Sequence, residues 1–173
     1  MSGGGRAPRG DDEPPPRALT HVDAGGAARM VDVSTKGESE RTARARGTIR
    51  MRRETLDAIR ANAVAKGDVV AVARVAGVMA AKRTAELIPL CHPVALTDVQ
   101  VDVTADETLP GLHVDAVART VGRTGVEMEA IVAVSMTLVT IYDMAKALDK
   151  EMQITDIVLV EKRGGRSGHW RRS

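Results

Sequence analysis

Asp143 and Lys146, in the segment IYDMAKALDK, are three residues apart. On a helix that spacing puts both on one face. An acid and an amine held together at the end of an apolar helix can exchange proton roles, each shifting the other's pKa. A surface helix ion pair, worth roughly a few tenths of a kcal/mol, has the same spacing. On spacing alone the plain ion pair is the commoner outcome, and the apolar run before Asp143 adds weight to the chemical reading, because that face is not an ordinary wet one. A second group, Glu127, Met128 and Glu129, follows Gly122-Arg123-Thr124-Gly125. Carboxylates in a first turn suit the helix dipole. A Gly-rich approach to a helix can also hold a polar ligand against backbone N–H groups. The residues alone leave both readings open. A third group, Leu90-Cys91-His92, lies between Pro89 and Pro93. Adjacent Cys and His without spaced partners make a poor zinc site and a poor nucleophile pair. His92 is the useful member, as a proton donor or a phosphate contact, and a plain structural loop fits the segment equally well.

Basic residues punctuate the element ends: Lys36, Arg41, Lys66, Arg119, Arg123 and Lys162. Anion contacts gather at such ends, although most of these charges read as solvated. Gly164-Gly165-Arg166-Ser167-Gly168 looks like a phosphate loop. It lacks the GxxxxGK[ST] pattern, and no helix can follow it before Ser173.

These residues must be carried by the elements around them. Residues 42–51 alternate strictly, with Ala43, Ala45, Gly47, Ile49 and Met51 on one face, which predicts a half-buried strand. Residues 54–64 predict a short helix with an acidic first turn. Lys66-Gly67-Asp68 breaks it, with Gly67 as the stop and Asp68 as the next N-cap. Residues 69–84 then form an Ala/Val-rich helix exposing a few charges, Arg74, Lys82 and Arg83. Pro89 and Pro93 bracket an extended loop, 88–94. Residues 95–104 and 112–121 alternate around the turn residues 106–111, a hairpin. Residues 127–148 form the longest helix, apolar on nearly every face from Ala130 to Met144. Such a helix is buried all round, and a domain this small favours covering it with a second subunit. Residues 154–161 predict a last strand, and 30–34 an outlying one. From residue 42 onward the order is βαββαβ. The fold class is α+β: a ferredoxin-like antiparallel sheet with helices packed on one face. Along the long helix Glu129 and Asp143 would lie about 21 Å apart at ~1.5 Å per residue. One small ligand cannot reach both unless the start of one helix meets the end of another, in a site shared between subunits.

Composition narrows the partners. Aromatic residues make up 1% of the 173 residues, with no Phe, one Trp and one Tyr. That disfavours nucleic-acid modules that stack bases, aromatic cages and membrane-interface belts. A net charge of +2 suits a local site for a small anion and falls short of a nucleic-acid coat. One Cys allows no internal disulfide and points to the reducing cytoplasm. The N-terminus lacks the apolar stretch of a signal peptide. The apolar run 130–144 is too short and too punctuated by Ser and Thr to span a bilayer. Residues 1–18, rich in Gly and Pro, read as a disordered tail. Residues 19–163 read as one domain, and 164–173 as a flexible basic tail.

Several segments together resemble the cyclic pyranopterin monophosphate synthases, the accessory C proteins of molybdenum-cofactor biosynthesis. They are MVDVSTK (30–36), KGDVVAVARVAGVMAAKRTAELIPLCHP (66–93), TGVEMEAIVAVSMTLVTIYDMAKALDK (124–150) and VEKRGGRSG (160–168). The resemblance covers nearly all of the chain from Leu19 to about Gly168. It implies a ferredoxin-like fold and a homohexamer, a trimer of dimers with sites at the dimer interface. It implies conversion of 3′,8-cyclo-7,8-dihydroguanosine 5′-triphosphate to cyclic pyranopterin monophosphate, with release of diphosphate. No redox cofactor is implied. Mg2+ accompanying the phosphates is compatible with it, although no metal-ligand motif is present. Carried over by motif, Asp143 and Lys146 match the catalytic acid/base pair. Leu90, Cys91 and His92 match the substrate loop, and Met128 and Glu129 the second substrate segment. Glu127 and Lys66 match further site residues. Ala145 stands where the family often has Cys. By charge, Lys66 and His92 suit the triphosphate, and Glu127 or Glu129 the edge of the base. A non-catalytic ferredoxin-like module that senses a nucleotide is the rival reading. It would need the basic residues but not Asp143 with Lys146.

Overall fold

A computed structural model describes residues 30–165 and 168–173. Asp32–Ser173 forms one unit that holds every described strand and helix. The expected tail 1–18 and the expected domain start at Leu19 lie outside the described residues. So do Arg166 and Ser167.

Strand β1, Ser39–Arg50, carries the predicted alternation. Ala43, Ala45 and Ile49 are buried. Its other face is polar, and Arg44 and Arg46 both reach Asp115, at 2.7 and 3.2 Å. β1 pairs antiparallel with β3, Gly111–Gly122, and with β4, Gln153–Arg163. β2, Leu96–Asp106, joins β3 as the expected hairpin. Its turn is closed by the Asp106 carboxylate, which accepts from the Thr108 N–H and hydroxyl at 2.9 and 2.8 Å and from the Leu109 N–H at 3.3 Å. Those donors hold the Asp106 carboxyl well below the usual carboxylate range. Met51 does not extend β1, because its N–H turns to the Pro110 carbonyl at 2.9 Å. The sheet order is β2-β3-β1-β4-β5, which is the ferredoxin-like order with one added edge strand. That strand, β5, is Trp170–Arg171, paired with Glu161 and Lys162. A short edge strand thus stands where a loose basic end was expected.

The helices lie on one face of the sheet. α1, Arg53–Arg60, ends four residues earlier than its pattern suggests, and Asn62 just beyond it has φ 51°. Gly67 takes φ 95°, and Asp68 accepts the Ala71 N–H at 2.9 Å, as its N-cap role requires. α2, Val69–Ala81, stops before the predicted Thr84. The buried Thr84 hydroxyl donates to the Ala81 carbonyl at 2.9 Å and starts a separate short helix, α3, Thr84–Leu87. α4, Glu127–Ala145, packs between α2 and strands β1, β3 and β4. It ends before the predicted Leu148, since Leu148 and Asp149 both turn their N–H groups back onto the Ala145 carbonyl. At 19 residues α4 is long and apolar enough to cross a membrane by length and composition. Its packing on two sides is that of a core helix. No strand forms at 30–34, where Ser34 N–H bonds to Asp32 and closes a turn.

Two glycines set the depth of this packing. A Cβ on Gly47 would lie 2.7 Å from Leu138 Cδ1 and 2.8 Å from Val134 Cγ1, so β1 and α4 touch through that gap. Gly77 does the same for α2 against Ala133 and Thr137. Several large apolar side chains of the helices stay exposed: Val72, Val75 and Met79 of α2 and Val139 of α4.

Candidate functional site

At the C-terminal end of α4, Asp143 is held between two ammonium groups. Lys146 Nζ donates to Oδ1 at 2.7 Å, across the predicted one-turn spacing. Lys66, from the break between α1 and α2, donates to Oδ2 at 2.7 Å and to the Asp143 carbonyl at 2.9 Å. All three side chains are about half exposed. The hydrogen bonds from Lys146 and then Lys66, reinforced by their charges, hold the Asp143 carboxyl down to about 2. In turn Asp143 raises the Lys146 ammonium above its usual range. The carboxylate is therefore held in its charged form as an acceptor, and Lys146 in its charged, protonated form. The cluster also offers two cations to an incoming polyanion.

The other end of α4 has a different character. Glu129 sits in the first turn, 4% exposed. Burial, and then the charge of Glu127, push its carboxyl upward, while a bond from its own backbone N–H opposes them. Glu129 lines a small cleft of about 140 Å³ with Lys82, Arg83, Thr84, Pro93 and Val94. The Leu90-Cys91-His92 loop runs beside it, all three residues half-buried. The Cys91 N–H donates to the Ile88 carbonyl at 3.1 Å, so a turn and the two prolines shape the loop. Burial and the nearby Glu129 charge push the Cys91 thiol up, which makes it a poor thiolate nucleophile. Glu127 pairs with Lys162 of β4 at 3.0 Å, both half-buried. A side chain at Gly125 would strike that carboxylate, its Cβ falling 1.9 Å from Oε2. Met128 lies half-buried between the two glutamates.

The structure thus brings Lys66 to Asp143 and Lys146, sets Cys91 near Glu129, and joins Glu127 to Lys162. It does not bring the first group to the second, because they occupy opposite ends of α4. Among the other basic residues, Arg41 donates to the Gly122 and Arg123 carbonyls at 2.9 and 3.1 Å, tying β1 to the approach to α4. Gly165, at φ 72°, leaves room for the Arg41 guanidinium. Arg119 pairs with Asp98 at 3.1 Å. Lys82 and Arg83 read in sequence as helix surface charges, yet they line the Glu129 cleft. The signal for them lay in Thr84, whose hydroxyl ends α2 and turns the chain there. Among the described residues no three His, Cys, Asp or Glu side chains gather as a metal site.

The sequence profile described as the MoaC family matches residues 30–165. A protein from Brucella ovis named cyclic pyranopterin monophosphate synthase is 60% identical over 152 residues, covering 88% of this chain and 92% of the relative. Proteins of the same name from Brucella melitensis and Brucella canis are 60% and 59% identical over the same span.

Proposed function

The chain belongs to the MoaC family, and from that premise we propose that it is a cyclic pyranopterin monophosphate synthase of molybdenum-cofactor biosynthesis. It rearranges 3′,8-cyclo-7,8-dihydroguanosine 5′-triphosphate and releases diphosphate. The observation that carries this reading is the Asp143 carboxylate clamped by Lys146 and Lys66 at 2.7 Å each. A sensing module needs cations for the phosphates. It does not need a carboxylate spent on holding two of them in place. In our reading Lys146 gives and takes protons during the rearrangement, and Asp143 keeps it charged and aimed. Lys66 and His92 meet the phosphates, and Mg2+, where it takes part, enters as their counter-ion. Leu90, Cys91, Met128 and Glu129 form the wall against the base, with the Glu129 carboxyl toward its edge and Glu127 beside it.

One site needs both ends of α4, so two copies must supply it. The exposed apolar surface of Val72, Val75, Met79 and Val139 supports a second copy packing there. We take the assembly to be a homohexamer, a trimer of dimers, with each site at a dimer interface. The single cysteine supports action in the cytoplasm.

The test is turnover. Wild type, Asp143→Asn and Lys146→Ala are each given the cyclised GTP derivative, and diphosphate is followed. Wild type should release diphosphate, and each variant should lose at least ~10²-fold in rate. Wild-type binding without diphosphate would leave a sensing module. Full activity in both variants would remove the assignment of the pair.

A further inference from the structure

Glu129 and Asp149 are the buried charged side chains among the described residues. Glu129 lines the cleft with Pro93 and Val94, whereas Asp149 lines a separate shallow one with Arg50, Arg52 and Gln153. Asp149 is 2% exposed and sits three residues beyond Lys146. Its Oδ2 accepts the Arg52 N–H at 2.8 Å, and its Oδ1 accepts the Glu151 N–H at 3.0 Å. Arg52 Nε approaches Oδ1 at 3.6 Å, and its Nη2 donates to the Leu148 carbonyl. Burial alone would raise the Asp149 carboxyl, but these donors and the Arg52 charge hold it below its usual range. The turn it anchors belongs to the end of α4. Leu148 and Asp149 return their N–H groups to the Ala145 carbonyl at 2.8 and 3.2 Å, and the Tyr142 hydroxyl donates to the Lys150 carbonyl at 3.1 Å. Arg52 lies at the β1–α1 junction, 97 residues away in the chain.

Desolvating a carboxylate is costly unless its oxygens are fully engaged. Here that cost is met in the turn just beyond Lys146, away from the Glu129 cleft. The neighbours on either side of the turn explain the placement. Residues 142–146 carry the proton-transfer pair, and the last turn of a helix is where fraying begins. The clasp removes that freedom at the point where Lys146 must meet Asp143 within hydrogen-bonding distance.

We propose that Asp149, acting through Arg52 and the 146–151 turn, is a positioning residue that holds the end of α4 so that Lys146 and Lys66 stay on Asp143. The importance of that geometry for turnover rests on the function proposed above, but the geometry itself does not. An amide at position 149 would keep one acceptor and set an NH2 group against an N–H donor, so Asp149→Asn loosens the clasp with little change in volume.

The experiment uses the full-length protein as wild type, Asp149→Asn and Arg52→Ala. Carbon-13 NMR follows the Asp143 carboxyl through acid pH, and steady-state kinetics are run well below each melting temperature. In Asp149→Asn the Asp143 midpoint should move up toward its ordinary value. kcat should fall by about tenfold or more, with KM changing by less than about twofold. Arg52→Ala, whose side chain is largely exposed and whose backbone N–H bond survives, should shift both in the same direction by less. It stands in if Asp149→Asn does not fold. An unchanged Asp143 midpoint with unchanged kcat, beside a lower melting temperature, would make Asp149 a merely structural cap and overturn the proposal. A wild type that releases no diphosphate would instead count against the proposed function, and the NMR comparison would still decide the clasp.

Discussion

Replacing Gly77 with Ala tests the helix crossing on which both ends of the site depend. A Cβ at this position would fall 2.1 Å from Thr137 Oγ1 and 2.9 Å from the Ala133 carbonyl oxygen. Thr137 is fully buried, and its hydroxyl donates to that same carbonyl at 2.8 Å. Turning it aside forfeits a buried hydrogen bond, ~1 kcal/mol. The carbonyl belongs to the backbone, so the rest of the overlap is relieved by parting α2 from α4. Overpacking of this kind costs about 1–3 kcal/mol, and alanine returns ~0.8–1 kcal/mol of helix propensity over glycine. The balance is a loss of about 1–3 kcal/mol. Urea unfolding at fixed protomer concentration measures it. With a slope of ~2 kcal/mol/M, the midpoint should fall by about 0.5–1.5 M. Thr137→Ala removes the nearer obstacle. Adding Gly77→Ala to it should therefore cost about 1 kcal/mol less than in wild type. An unchanged or raised midpoint in Gly77→Ala would refute the close crossing, and so would strict additivity in the double variant.

The remaining predictions concern the ionisable groups. The Glu129 carboxyl is raised above 4.5 in the fold, so its charged form costs stability at neutral pH, and that cost disappears below its unfolded value. Glu129→Gln should therefore raise the melting temperature at pH 7 and leave it unchanged at pH 4, while impairing substrate binding; a lower melting temperature at pH 7 would contradict this. Asp143 is lowered from 3.8 to about 2, so its stabilising contribution is present above 3.8 and is lost as pH falls toward 2. Lys66→Ala should move its NMR midpoint upward, and an unmoved midpoint would break the clamp argument. Recognition of a triphosphate without aromatic stacking rests on charge. KM should therefore climb by several-fold between about 0.05 and 0.3 M salt, and a flat response would point to apolar recognition.

The strands were legible because alternation of Ala43, Ala45, Gly47 and Ile49, or of Val99, Val101 and Val103, maps directly onto a sheet with one buried face. The hairpin turn was legible in its Asp, Pro and Gly, and the N-cap in Asp68. Helix ends were less so. Thr84 and Ala145 end helices through hydrogen bonds that a periodic pattern does not encode. Residues 30–34 are apolar enough for a strand, but the Asp32 carboxylate takes the Ser34 N–H and turns the chain. Asp149 reads as one more charge in a polar segment, and its burial depends on Arg52, far away in sequence. Trp170 and Arg171 pair only because β4 leaves an open edge beside them. The Asp143–Lys146 pair was readable from one-turn spacing. That Lys66 completes it is tertiary, as is the gathering of Lys82 and Arg83 around Glu129.

The claim that one active site draws on both ends of α4 from different copies is tested most directly by subunit complementation. His92→Ala and Asp143→Asn proteins, each inactive alone, are mixed, dissociated and reassembled, and diphosphate release is followed. In a two-fold dimer half of the random pairs are mixed, and each mixed pair has one intact site of two, so activity should return to about a quarter of wild type. Activity that stays at the level of the separate variants, despite verified mixing, would mean that each subunit carries its whole site and would contradict the account.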